Sequence, residues 1–254
     1  MEMIQSADGT RIAVDRSGAG APLVIVLGAF CDRSTSKPLA ALLAPRYTVY
    51  EYDRRARGDS SNGLRLSIER EVQDLAAVVT AAGEAPFVYG HSSGALLALE
   101  AAARGVQMRR LAVYEPPYTG AHDPGPEFGR HLDELVATGR RDEAAEQWLA
   151  VTGTPPPIIE SIKRGPGWVQ RQALAHTLSQ DLRLANSGRV PLERLDAIEI
   201  PVLALAGADS PPWASLTTAV LAGSLPHASE RIVDGQQHIP ADSVIGEILE
   251  SFFV

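Results

Sequence analysis

Apolar residues cluster in short runs at 23–27, 47–52, 86–89, 110–114, 202–206 and 230–233. Each is too short for a helix and lacks polar alternation, the pattern of a strand buried on both faces. Between the runs, apolar positions recur at helical spacing over 38–44, 67–82, 94–104, 215–222 and 241–253. The first stretch, 2–16, alternates instead and carries Asp8-Gly9, a turn signal, which predicts an antiparallel hairpin. Strands alternating with helices predict an α/β fold: a mainly parallel sheet with helices on both faces.

The alternation stops once. From 118 to 195 no strand is predicted, while 128–136 and 143–151 have helical periods and Pro155-Pro156-Pro157 and Pro166 act as breaks. The core domain is therefore expected at 1–117 and 196–254, with a helical cap, or lid, inserted at 118–195. An insertion after a strand end stands where ligands bind in open α/β sheets.

Composition narrows the functional classes. The 254 residues carry a formal net charge of −8, and the densest basic stretch, Arg54, Arg55 and Arg57, is flanked by Asp53 and Asp59. No basic face for nucleic acid is expected. The single cysteine, Cys31, forms no intrachain disulfide and is read as a small buried thiol rather than a nucleophile. The polar N-terminus and the lack of an apolar run of about 18 residues predict a cytoplasmic chain with no membrane partner. No metal-ligand spacing and no nucleotide-binding glycine fingerprint occur, so no metal or cofactor is expected, and the partner is a small molecule. Oligomeric state is not legible.

The chemistry gathers at Gly90-His91-Ser92-Ser93-Gly94, which follows a predicted strand and opens a small-residue helix. This is G-x-S-x-G in the context that chemistry needs. A sharp strand-to-helix turn strains the serine backbone, and its close neighbours must be glycine. The helix N-terminus aims N–H groups at the reaction centre and favours negative charge there.

With this motif the chain resembles the α/β-hydrolase superfamily over nearly its whole length. Leu27-Gly28-Ala29-Phe30 stands where that family carries His-Gly-x-x. The stretch from Asp53 to Ser60 resembles its D-x-R-G-x-G-x-S loop, and Gly235-Gln236-Gln237-His238 its G-x-x-H loop. Leu27 replaces the family's histidine and Ala56 a glycine. The resemblance implies a serine hydrolase with Ser92 as nucleophile. Its oxyanion hole would be built from the N–H groups of Ser93 and Ala29.

Of six histidines, His238 is the expected base, because it follows the last strand and reaches the same sheet edge as Ser92. His91 is read as structural. His122, His131 and His176 fall in the insertion, and His227 in an exposed loop. The base needs a carboxylate that fixes its tautomer. Glu115, at the end of strand 110–114 and clamped by Pro116-Pro117, is placed first. Asp209, in the loop after 202–206, is the alternative. In the resemblance, an acid after the strand following the nucleophile helix occurs in haloalkane dehalogenases and in zearalenone-type lactonases. The expected reaction is hydrolysis of a carboxylic ester or lactone through an acyl-enzyme. Phe30 and Trp168 are the expected substrate contacts, with Trp148, Ile158 and Leu178 as further apolar residues of the insertion. Two other classes remain open: a non-hydrolytic enzyme on the same fold (isomerase, cyclase or C–C bond enzyme) and a small-molecule receptor.

Overall fold

The computed structural model describes residues 1–62 and 66–254. The strands are β1 (Glu2–Gln5), β2 (Arg11–Gly18), β3 (Ala21–Val26), β4 (Tyr47–Tyr52), β5 (Phe87–His91), β6 (Arg110–Tyr114), β7 (Val202–Gly207) and β8 (Ala228–Val233). They form one sheet in the order β1-β2-β4-β3-β5-β6-β7-β8. The hairpin β1–β2 and the pair β2–β4 are antiparallel. All pairs from β4 through β3 to β8 are parallel.

The core helices are α1 (Lys37–Leu43), α2 (Ile68–Ala81), α3 (Ser93–Ala103), α10 (Pro212–Ser224) and α11 (Asp242–Phe252). Alternation along β3 sorts its side chains between the two faces, since successive residues of a strand point to opposite sides. Val24 and Val26 pack in a cluster with α2 and α3, including Leu75, Val78 and Leu97. Leu23 and Ile25 pack on the other face with Leu39 and Leu43 of α1 and Ile245 and Leu249 of α11.

Between β6 and β7 the chain is helical: α4 (Gly125–Ala137), α5 (Arg141–Val151), α6 (Pro156–Arg164), α7 (Trp168–Leu174), α8 (Leu178–Leu184) and α9 (Leu192–Leu195). A third apolar cluster joins Leu132, Leu135, Ala144, Ala175 and Leu178 of this segment, and Ala29 and Phe30 of the sheet edge pack against it.

Pro155-Pro156-Pro157 stands at a break in the helical segment, between α5 and α6, but two of its prolines belong to the second helix. Pro155 is the extended cap, and Pro156 and Pro157 open α6. The first helical turn needs no N–H from its residues, and proline's fixed φ suits it. For the same reason α10 starts at Pro212, three residues before the periodic run at 215. Among the described residues, no helix is long and apolar enough to cross a membrane.

Candidate active site

Register brings the chemistry together. Gly90 lies opposite Val26 and Val113, and Tyr114 lies opposite His91 and Leu205. The residues just past these positions (Gly28, Ser92, Glu115 and Gly207) therefore share the C-terminal edge of the parallel sheet.

Ser92 links β5 to α3 with φ 56 and ψ −127, a backbone that non-glycine residues rarely adopt. Such strain costs on the order of 1–3 kcal/mol and persists only where surroundings over-determine it. Here the Ser92 N–H donates to the Tyr114 carbonyl at 2.9 Å, and the Ser92 carbonyl accepts the Ala95 N–H at 2.9 Å. A Cβ at Gly94 would stand 2.1 Å from the Val26 carbonyl oxygen, so only glycine lets α3 lie this close to β3.

Three side chains form a hydrogen-bonded line. The Ser92 hydroxyl donates to His238 Nε2 at 3.0 Å, and His238 Nδ1–H donates to Glu115 Oε2 at 2.7 Å. The carboxylate as acceptor fixes the proton on Nδ1 and leaves the Nε2 lone pair for the serine. Glu115 is itself held. Its side chain is fully buried, its N–H donates to the Leu205 carbonyl, and its Oε1 accepts the Gly207 N–H at 2.8 Å. Burial works to raise the Glu115 carboxyl, but the His238 and Gly207 hydrogen bonds outweigh it and hold the group below the usual glutamate value. Its φ of 45 marks a second strained backbone. Asp209 lies in an exposed stretch. Its N–H donates to the Gln236 carbonyl at 3.0 Å, which fastens the histidine loop. Among the described residues, its carboxylate makes no hydrogen bond or ion pair with His238.

That loop is pinned at three successive carbonyls. Gln236 accepts the Asp209 N–H, Gln237 accepts the Tyr114 hydroxyl at 2.7 Å, and His238 accepts His91 Nε2–H at 2.7 Å. The structural reading of His91 thus gains a specific contact: its ring lies 5.1 Å from that of His238 and holds the His238 backbone. Burial and the neighbouring His238 push the His91 imidazole down to about 4, so it is neutral at pH 7. The Trp213 ring at the start of α10 stands 6.1 Å from the His238 ring, a neighbour with no sequence signal.

Gly28 abuts the serine: a Cβ there would be 2.8 Å from Ser92 Cβ and 3.2 Å from its Oγ. Ala29 and Phe30 continue this loop, Phe30 at φ 59 and with the Arg171 guanidinium 6.0 Å from its ring centroid. Trp148 packs against the same insertion cluster, whereas Leu178 is fully buried within it and Ile158 is 51% exposed. Trp168, the first residue of α7, is partly buried. Cys31 is partly exposed as a residue, but desolvation raises its thiol, which keeps it protonated and a poor nucleophile, in line with its reading as a buried thiol. Among the remaining histidines, His227 is exposed, His131 bonds Gln147 and His176 bonds the Ala56 carbonyl.

The arginines of the loop after β4 are not a surface patch. Arg54, Arg55 and Arg57 are at most 3% exposed. Arg54 pairs with Glu71 and Asp181, Arg55 with Asp74 and Asp8, and Arg57 with Asp181. Ala56, where the resembled loop carries glycine, has φ 62, the left-handed backbone that favours glycine. Among the described residues, no group of three or more His, Cys, Asp or Glu side chains is arranged to hold a metal.

Comparison with known proteins agrees with this fold. A structure of an alpha/beta hydrolase from Sphaerobacter thermophilus DSM 20745 is 42% identical, with each chain covered over 100% and a TM-score of 0.94. A thermophilic esterase from Thermogutta terrifontis, solved with malate bound, is 20% identical over 99% of this chain and 97% of its own, with a TM-score of 0.75. The esterase RhEst1 from Rhodococcus sp. ECU1013 is 20% identical over 99% and 97%, with a TM-score of 0.67. Among curated proteins, none matches significantly. The profile of the alpha/beta hydrolase family matches residues 12–247, and the chain belongs to that family.

Proposed function

We propose that this hydrolase cleaves a carboxylic ester or lactone through an acyl-enzyme, with Ser92 as nucleophile, His238 as general base and Glu115 as the acid that orients it. The hydrogen-bonded line from Ser92 through His238 to a buried, charged Glu115 carries this reading. Ser92 Oγ attacks the carbonyl carbon while its proton passes to His238 Nε2. The carbonyl oxygen becomes an oxyanion, facing the N–H groups of Ala29 and Ser93. Collapse breaks the bond to the leaving oxygen, which takes the proton from His238. Water then gives a proton to His238 and attacks the acyl carbon, releasing the acid and restoring the serine. In a lactone the leaving oxygen stays tethered, so the product is one hydroxy acid. The helical segment between β6 and β7 would act as the cap, with Phe30 and Trp168 as walls of the acyl pocket. The packing of Phe30 against the insertion cluster supports that placement. Neighbours of this fold named esterases support the bond class.

The test is a fluorophosphonate probe together with a panel of p-nitrophenyl esters and lactones. Labelling on Ser92 and turnover of at least one substrate are expected, both abolished in Ser92→Ala. Loss of the nucleophile alone should cost at least about 10³-fold in kcat. Folded protein that neither labels nor hydrolyses any member overturns the reading.

A further inference from the structure

A buried ion cluster ties the helical insertion to the Gly28 carbonyl and to Ser93 at the start of α3. Asp181, on α8, is fully buried, and it sits against Arg54 and Arg57, which are 3% and 1% exposed. Its Oδ1 accepts from Arg54 Nη1 at 2.8 Å, from Arg57 Nη2 at 2.8 Å and from the Ser93 hydroxyl at 2.7 Å. Its Oδ2 accepts a second bond from Arg57 Nη2 at 2.9 Å. Glu71 balances the second arginine, with bonds of 3.0 and 2.7 Å from Arg54. Two guanidinium groups and two carboxylates therefore form a neutral set. Burial works to raise the Asp181 carboxyl, and the two arginines outweigh it, keeping the group charged.

The cluster has two outlets toward the Ala29 and Ser93 N–H groups, and Arg54 Nη1 also donates to the Ser93 hydroxyl at 3.2 Å and to the Leu27 carbonyl at 3.4 Å. Arg57 Nη1 donates to the Gly28 carbonyl oxygen at 2.5 Å. That oxygen and the Ala29 N–H belong to one planar trans peptide and point in opposite directions. Holding and polarising the oxygen thus fixes where the Ala29 N–H aims and strengthens it as a donor. The other outlet is Ser93, whose hydroxyl is bound to Asp181 while its backbone N–H starts α3 beside the nucleophile.

We propose that Asp181 is a positioning residue. Through Arg57 and Ser93 it sets the direction of the Ala29 and Ser93 N–H groups, so the insertion helps to hold the oxyanion hole as well as covering it. This inference rests on the hydrolase reading above. It also assigns a purpose to the arginines of the loop after β4. They carry no substrate charge. They transmit the position of a carboxylate on one segment to a peptide on another. Preorganised donors act on the transition state, where charge develops, and hardly on the bound ester.

The experiment measures kcat and KM on the best p-nitrophenyl ester, per active site titrated with fluorophosphonate, so that lost folded protein is not counted. Affinity for a boronic acid, a tetrahedral mimic, is measured alongside. Asp181→Asn keeps the shape and removes the charge. It should lower kcat about 10- to 100-fold and weaken the boronic acid in parallel with kcat/KM, with KM within about threefold. Ser93→Ala removes only the hydroxyl outlet and should lower kcat about fivefold, and Asp181→Glu should regain part of the loss. A cluster that merely glues the insertion to the core would alter the titrated fraction and leave kcat per site unchanged, and that result overturns the proposal. Should Asp181→Asn not fold, Ser93→Ala decides alone: unchanged kcat and boronic acid affinity overturn it. Failure of the wild-type chain to label or turn over would be the failure of the hydrolase reading instead.

Discussion

An acid that serves an imidazole must be held in direction and kept charged, and two acids near strand ends differ on both counts. Glu115 is fixed at Oε1 by the Gly207 N–H and meets His238 through Oε2 at 2.7 Å. Asp209 is exposed, and only its backbone N–H engages the histidine loop. Glu115→Gln should retain the fold and lower kcat by at least about 10²-fold, because an amide no longer favours the tautomer that leaves Nε2 free and no longer stabilises the imidazolium. Asp209→Asn should stay within about twofold of wild type. Ester turnover by the two purified variants checks both values. The opposite ranking would move the acid to Asp209. At this scale the sequence already carried Ser92, His238 and both acids, because loops after strands in a parallel sheet converge on one edge. It ranked Glu115 before Asp209 from the strand-end position between Tyr114 and two prolines, but did not carry the Gly207 N–H bond that fixes the Glu115 side chain. Nor did it carry Asp181. No sequence signal links Asp181 to Arg54 and Arg57, and only the fold brings each arginine within 3 Å of its carboxylate.

At the scale of elements, the turn from β5 into α3 works through backbone contacts that leave no slack. α3 is buried from Ser93 to Ala102, and apolar apart from Ser93 and Glu100, because the sheet, α2 and the insertion cover it. Its first turn lies on β3 at Gly94, where a methyl group would meet the Val26 carbonyl carbon at 2.6 Å and its oxygen at 2.1 Å. Backbone atoms in a central strand cannot swing aside as a flexible side chain can. Gly94→Ala should therefore destabilise the protein by about 3 kcal/mol or more, beyond the usual range for a surface alanine in a helix. Urea unfolding checks this, and a midpoint equal to wild type would mean that α3 can slide on β3. Elements of this kind were legible because their signals are local. The strands at 47–52 and 110–114 match β4 and β6 to the residue, since runs of alternating-face apolar residues end where turn residues begin. The insertion was less legible. Its prolines stand at a break between helices, yet Pro156 and Pro157 belong to α6, in the first turn, where a missing N–H costs little.

For the whole molecule, the response of stability to pH follows from which groups folding perturbs and in which direction. Glu115 and Asp181 are held below their ordinary values, so their contribution is present above the ordinary carboxylate range and is lost only as pH falls through their depressed values. Glu51 and Asp74 are raised by burial and act with the opposite sign, as the native state takes up their protons first. His91 works in a different window. Its imidazole falls from an ordinary 6.5 to about 4 on folding, because burial and His238 disfavour the cation. Between these values the unfolded chain binds a proton that the native chain does not, so stability falls as pH drops from about 6.5 toward about 4. From pH 7 to pH 5 this one group should remove about 2 kcal/mol. His91→Gln isolates the effect. The glutamine amide can still donate to the His238 carbonyl but does not titrate, so the carboxylates and His176 respond alike in both proteins. Urea unfolding at pH 7 and pH 5 should show a larger loss in wild type than in the variant, by that amount. Equal losses would mean that the native fold accepts the proton at position 91 without cost, and that the histidine loop is not held by a neutral imidazole.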